Sequence, residues 1–248
     1  MVVAGGGATL LSGCKGSPTA ASTGGEGAMG KPPVVEAVLS GRVGTEFSAG
    51  QSPVSGEAWR RVKWEALVNP GNSAKMTAPA QTAILYDAGR VYVAFICEQP
   101  MASHDVVSVF LDTLGTGKEY IEVKTGREGK TSTTWYRASM APTAREDGSP
   151  NFAHPMSTVP GWDLKALEAK TWVEGNRWMA VVAIPLSTLP MPMQTVGKAG
   201  AVWRMNCLRV TKSGTTRVES LQSNLSKVYQ GAQSVSPYRM AEVQLTGE

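Results

Sequence analysis

Thr82-Ala83-Ile84-Leu85-Tyr86-Asp87-Ala88-Gly89-Arg90-Val91-Tyr92-Val93-Ala94-Phe95-Ile96-Cys97-Glu98 is the stretch whose reading decides the fold. Two short apolar runs, Thr82 to Asp87 and Arg90 to Glu98, flank the turn residues Asp87-Ala88-Gly89. That is the pattern of a β-hairpin. In the second run both parities are apolar, with Val91, Val93 and Phe95 on one face and Tyr92, Ala94 and Ile96 on the other. A strand covered on both faces belongs in the middle of a sheet.

Working outward, the same period of two recurs with turn residues between the runs. Strands are expected at Asp105 to Asp112, Glu119 to Thr125, Thr131 to Ala138, Leu164 to Val173 and Arg177 to Ile184. Further ones follow at Val202 to Val210, Thr215 to Leu221 and Tyr238 to Leu245. Helical periodicity is nearly absent, with Gly56 to Leu67 as the one ambiguous stretch. Pro185 closes its strand because it cannot donate to a ladder. Many short strands without intervening helices give an all-β fold, an antiparallel β-sandwich of the jelly-roll or immunoglobulin-like kind. One long loop, Met140 to Gly161, holds four prolines; loops of that length are usually functional or mobile.

Composition narrows the function. The 248 residues carry 24 Lys and Arg against 20 Asp and Glu, for a net charge of +4. The basic residues are scattered rather than gathered into a stripe with interleaved aromatics, so no nucleic-acid partner is expected. No apolar run is long enough for a membrane-spanning helix. Only two histidines are present, His104 and His154, and neither sits in a motif that would activate a nucleophile or hold zinc. Phosphate-cradling glycine loops are missing too. No enzyme activity is expected.

The N-terminal segment bears on location. Leu11-Ser12-Gly13-Cys14 resembles a bacterial lipobox, in which a small residue precedes a cysteine that is diacylated before cleavage. No positive region precedes the apolar run, so the recorded start is expected to lie inside a longer signal. Residues 1–14 are read as the signal segment and 15–33, rich in Gly, Ser, Thr, Ala and Pro, as a flexible tether. Residues 34–248 form the sandwich. Lipid on Cys14 would anchor the protein to a bacterial membrane, facing the periplasm or the cell surface. Cys97 and Cys207 remain; either they pair as a disulfide or they are two small buried hydrophobes.

Seven tryptophans stand out: 59, 64, 135, 162, 172, 178 and 203. Indole faces stack on the apolar faces of sugar rings, though a sandwich also uses tryptophan as core. Parity places Trp203 with Met205 and Cys207, and Trp178 with Ala180, Val182 and Ile184, so both are expected in the core. Trp135 shares its face with Thr131, Thr133 and Arg137, and is the expected exposed platform.

The order of segments resembles family-nine carbohydrate-binding modules. The matching pieces are Gly56-Glu57-Ala58-Trp59, Leu85-Tyr86-Asp87, Val91 to Phe95, Asp105 to Asp112, Tyr120 to Val123, Trp178 to Pro185 and Trp203 to Arg209. Ser108 and Val181 stand where that family usually has Glu, and Leu221-Gln222 stands where a Trp often follows. The resemblance implies non-catalytic binding of a glycan or oligosaccharide, with calcium as the one candidate cofactor. The expected sugar contacts are Trp135 and Trp162 as platforms, and Arg137, Asn206 and Arg209 as polar partners. Arg209 shares parity with Trp203, so it must lie at a strand end to be wet. Two further readings stay open: an envelope interaction or scaffold protein, and a haem-binding sandwich, which the 11 Met leave conceivable.

Overall fold

The structure is a computed structural model, and it describes residues 34–68, 79–98, 104–138, 156–190, 202–213, 217–223 and 240–247. Thirteen strands are described: β1 Val34–Leu39, β2 Glu65–Val68, β3 Ala80–Tyr86, β4 Arg90–Glu98, β5 His104–Asp112, β6 Glu119–Gly126, β7 Thr131–Ala138, β8 Met156–Thr158, β9 Glu168–Glu174, β10 Arg177–Pro185, β11 Val202–Ser213, β12 Arg217–Ser223 and β13 Ala241–Thr246. All belong to one sheet curled into two facing leaves. The first leaf runs β8-β7-β6-β5-β11 and the second β3-β4-β10-β9. Two bridges join them along one side, β12-β2 and β13-β1. On the other side the leaves end at β8 and β9.

The hairpin that decided the fold is present, with β3 and β4 paired antiparallel from Ala80↔Cys97 to Tyr86↔Val91. Asp87 shapes its turn by accepting from the backbone N–H of Gly89 and Arg90, each at 2.8 Å. β4 is central, as its two apolar faces require, lying between β3 and β10. One feature departs from an all-antiparallel sheet: β1 runs parallel to both β13 and β3.

The inward faces of both leaves share one core. Val91, Val93, Phe95, Trp178, Ala180 and Ile184 meet Val107, Val109, Leu111, Ile121, Trp203 and Met205, all buried. Trp178 and Trp203 are fully buried, where parity put them. The back of the β3-β4-β10 leaf is covered too. A short helix, α1 (Val43–Ser48), and a single 3-10 turn at Ala58–Arg61 press Val43, Phe47 and Trp59 onto Leu85, Tyr92 and Val181. This explains why β4 and β10 are apolar on both faces. Six residues are too few for α1 to show a helical period, and the ambiguous stretch resolves into the 3-10 turn followed by β2. Gly56 is required at this junction. A methyl there would come within 2.6 Å of Glu46 Oε2 and 3.0 Å of Trp59, while buried Glu46 is needed to accept from the Glu57 and Ala58 N–H groups.

Deep inside, one ion pair ties the leaves together. The Arg209 guanidinium grips Asp105 through Nε (2.9 Å) and Nη2 (2.6 Å), with both side chains 0% exposed. Its Nη1 donates to the carbonyls of Glu98 at 2.7 Å and Pro79 at 3.1 Å. Trp178 Nε1 adds a third donor to Asp105, at 2.8 Å. The expectation that Arg209 sits at a wet strand end is therefore not met. Parity with Trp203 turns it inward, and a buried carboxylate compensates its charge.

Cys97 and Cys207 are buried free thiols, so they form no disulfide. Cys207 accepts from Thr82 Oγ1 across the core at 3.6 Å, and Cys97 lies within the electrostatic reach of Arg209 and Asp105. Burial pushes the Cys207 thiol up to about 12, and Cys97 also upward. Both act as small core hydrophobes.

Breaking the Arg209–Asp105 pair from one side is expected to be severe. Asp105→Ala leaves a buried guanidinium without its counter-charge and should cost about 3–5 kcal/mol in urea unfolding. Replacing both partners by apolar residues, Asp105→Leu with Arg209→Met, should recover much of that loss.

Candidate functional site

Strand alternation divides the expected contact residues. Along β11, Trp203, Met205, Cys207 and Arg209 point into the core. Asn206 points to the opposite, outer face, as do Arg204 and Leu208. The structure therefore separates Asn206 from Arg209, and it brings Trp135, Trp162 and Arg137 together elsewhere.

The outer face of the β7-β6-β5-β11 leaf reads as a grid from its register. One row holds Asn206, Phe110, Glu122 and Thr134, and the next holds Leu208, Ser108, Lys124 and Ser132. On the other side of the first row Tyr120 pairs with Tyr136, their rings stacked at 4.8 Å and 24°. Phe110 meets Tyr120 edge to face at 6.0 Å. Met240, Met156 and Leu208 complete this small apolar cluster. The result is an aromatic floor, buried at Phe110 and Tyr120 and half-buried at Tyr136, flanked by the buried Asn206 amide and Glu122 carboxylate and the exposed Lys124 ammonium.

The electrostatics of the floor are partly settled within it. Glu122 accepts from Tyr136 Oη at 3.0 Å and faces Lys124 Nζ at 3.1 Å. Burial, together with the Glu122 charge, pushes the Tyr136 phenol up to about 12, so it stays a donor. Asp112 is spent on the turn after β5: it accepts from the N–H groups of Leu114, Gly115 and Gly117 at 2.7–3.0 Å. Gly115 and Gly117 take left-handed backbone conformations there (φ 63° and 68°). Burial raises the Asp112 carboxyl above its ordinary value, against the pull of those three N–H groups.

Asn206 differs, and of the buried side chains with unpaired polar atoms (Thr113, Thr125, Trp203, Asn206 and Thr211) it is the one in which both a donor and an acceptor group are unused. It is 0% exposed, yet neither Oδ1 nor Nδ2 has a hydrogen-bond partner. A buried amide in that state bears its full desolvation cost, and native proteins rarely leave one so without an occupant such as water or a ligand.

The second grouping lies at the open edge of the sandwich. Trp135 lies on the inward face of β7, because its register partner Ile121 is in the core. β7 is near the end of its leaf, so the inward face there opens onto solvent, which is why threonines and an arginine share it. Trp135 is half-buried against the core rather than freely exposed, with Trp162 6.0 Å away and tilted by 59°. At that spacing the rings touch each other and form a corner, not a slot. Arg137 lies over the Trp135 ring at 5.3 Å, and Glu119 accepts from Trp135 Nε1 at 3.2 Å. Asp163 accepts from Thr133 Oγ1 and Lys165 Nζ, each at 3.0 Å, which holds its carboxyl below the ordinary range.

Among the described residues no group of three or more His, Cys, Asp or Glu could hold a metal ion. Cys14 and residues 15–33 lie outside the described residues.

Similar architectures are known. A family-nine carbohydrate-binding module from Caldicellulosiruptor kristjanssonii, solved in complex with glucose, superposes with a TM-score of 0.58 at 14% identity over 87% of this chain and 96% of that one. The same kind of module from that organism with cellotriose gives 0.55 at 15% identity, over 87% and 94%. A carbohydrate-binding candidate from Bacteroides uniformis gives 0.54 at 14% identity, over 87% and 99%. Neither a protein-family model nor a curated protein matches the sequence. The fold is thus that of the family-nine modules, which the order of sequence segments resembles. Alternation along β11 turns Asn206 away from Trp203, Met205 and Cys207, but the floor around it is not legible in the sequence, because its residues come from four strands and meet only through register.

The unpaired amide makes a stability prediction. Asn206→Leu removes a buried unsatisfied group at similar volume and should raise unfolding stability by about 1–3 kcal/mol, read from the urea midpoint at unchanged slope.

Proposed function

We propose that this domain binds carbohydrate without transforming it, on the outer face of the β7-β6-β5-β11 leaf. The observation that carries the reading is Asn206, whose buried amide has one acceptor and two donor hydrogens unused beside an aromatic floor. A pyranose presents this combination in reverse: an apolar C–H face to lay on the half-buried Tyr136 ring, which the buried Phe110 and Tyr120 support from beneath, and adjacent hydroxyls that donate and accept in the ring plane. Glu122 and Lys124 extend the polar edge. Neighbours of the same fold were solved with glucose and cellotriose, which supports this ligand class.

The reading includes location. Cys14 carries the lipid, residues 15–33 are the tether, and the sandwich is displayed at the envelope, in the periplasm or on the cell surface. Cys14→Ser should move the protein from the membrane to the soluble fraction, with an unchanged partition counting against the anchor.

Titration calorimetry on the Cys14→Ser chain with glucose and cellotriose tests the binding itself. Saturable binding is expected, weakened at least about tenfold by Asn206→Leu, which corresponds to one lost hydrogen bond of about 1.4 kcal/mol. Tyr136→Ala should weaken it as well, while Val173→Ser, an exposed change on β9, should not. Absence of binding to a broad glycan panel would leave the sandwich as an envelope interaction module.

A further inference from the structure

The Trp135–Trp162 corner lies on the opposite side of β7 from the outer floor and needs its own account. Its two indoles are half-buried and in contact, so they form a rigid apolar wall. Arg137 projects from the same face of β7, with its side chain 61% exposed. It is held in place on two sides: the Trp135 ring lies under the guanidinium at 5.3 Å, and Glu119 faces Nε at 3.7 Å. Glu119 is itself fixed by Trp135 Nε1. Both restraints act on the ring-facing side and on Nε. Neither uses the Nη1/Nη2 end, and no hydrogen bond of that end to a described residue is present.

A planar guanidinium with its outer end unused, braced on an aromatic ring, is the geometry that takes a carboxylate through two parallel hydrogen bonds. The other charges nearby are accounted for: Asp163 is paired with Lys165, and Glu119 orients Arg137 from behind. The indole wall supplies the apolar contact that an isolated arginine lacks. A ligand fitting both parts carries a carboxylate on a ring with an apolar face. We propose that the corner is a second binding site, selective for an acidic sugar residue, a uronate. Its carboxylate sits on the Arg137 fork and its ring lies against the Trp135–Trp162 wall. The site does not rest on the outer-floor reading, since it shares no side chain with it.

The test compares uronic-acid trisaccharides with their neutral hexose counterparts, using calorimetry and tryptophan fluorescence on the Cys14→Ser chain. Uronate oligomers should bind at least tenfold more tightly than the neutral ones and perturb the tryptophan emission. Arg137→Gln should remove that preference. Arg137→Lys, which keeps the charge but loses the fork, should restore only a minor part of it. Arg137 is exposed, so neither variant threatens folding, and circular dichroism verifies this. Equal affinity for acidic and neutral oligomers, an undiminished preference in Arg137→Gln, or no binding of uronates would each overturn the site. Loss of glucose and cellotriose binding on Asn206→Leu concerns the outer floor alone, so the two readings fail separately.

Discussion

The sandwich depends on one buried ion pair. Arg209 and Asp105 belong to adjacent strands of one leaf, but the guanidinium reaches across to the carbonyls of Pro79 and Glu98 in the other. Apolar contacts between leaves are non-directional and would tolerate sliding. A fork bonded to three fixed acceptors would not. The pair thereby sets how the leaves are rotated and spaced, and both candidate sites inherit their geometry from that setting. Burial makes the arrangement expensive, which is why every arm of it is satisfied: two carboxylate oxygens, two carbonyls and an indole N–H.

Not every buried polar group is treated this way: Trp203 Nε1 in the core and the Thr113, Thr125 and Thr211 hydroxyls lack partners among the described residues, as does Asn206 on the outer face. There the protein leaves an amide buried and unpaired, surrounded by tyrosines and a lysine–glutamate pair that are partnered among themselves. Local energetics alone would favour an apolar residue at position 206. Sites that keep such a group against its folding cost are commonly those where something else completes the hydrogen bonding.

How much was legible in the sequence follows from what period two can and cannot encode. It gave the hairpin, the two-faced burial of β4 and the core positions of Trp178 and Trp203, because alternation is a local property. It also turned Arg209 inward; reading that side chain as wet required a strand end, and β11 continues to Ser213. Trp135 was assigned to a polar face for the correct chemical reason, yet that face is the inner one, since edge position depends on which strands pair. β1, β2 and β8, the last within the stretch read as one long loop, are not legible because runs of six, four and three residues are too short for alternation to stand out. The separate fates of Cys97 and Cys207 likewise depend on how far apart two leaves hold their strands, which no spacing along the chain encodes.

The parallel pairing of β1 with β13 joins the start of the described chain to its end. Thr246 Oγ1 reaches the Ala37 carbonyl across 209 positions of sequence. A wall of the sandwich is therefore made from the two strands furthest apart along the described residues. Contacts of such long range are slow to form, because most of the chain must be ordered before they repay the loop they close. Until β13 arrives, β1 has only three residues of β3 as a ladder, and β11 presents an unpaired edge from Val202 to Met205. β13 closes this side of the sandwich, and a chain in which it has not yet docked has that side open.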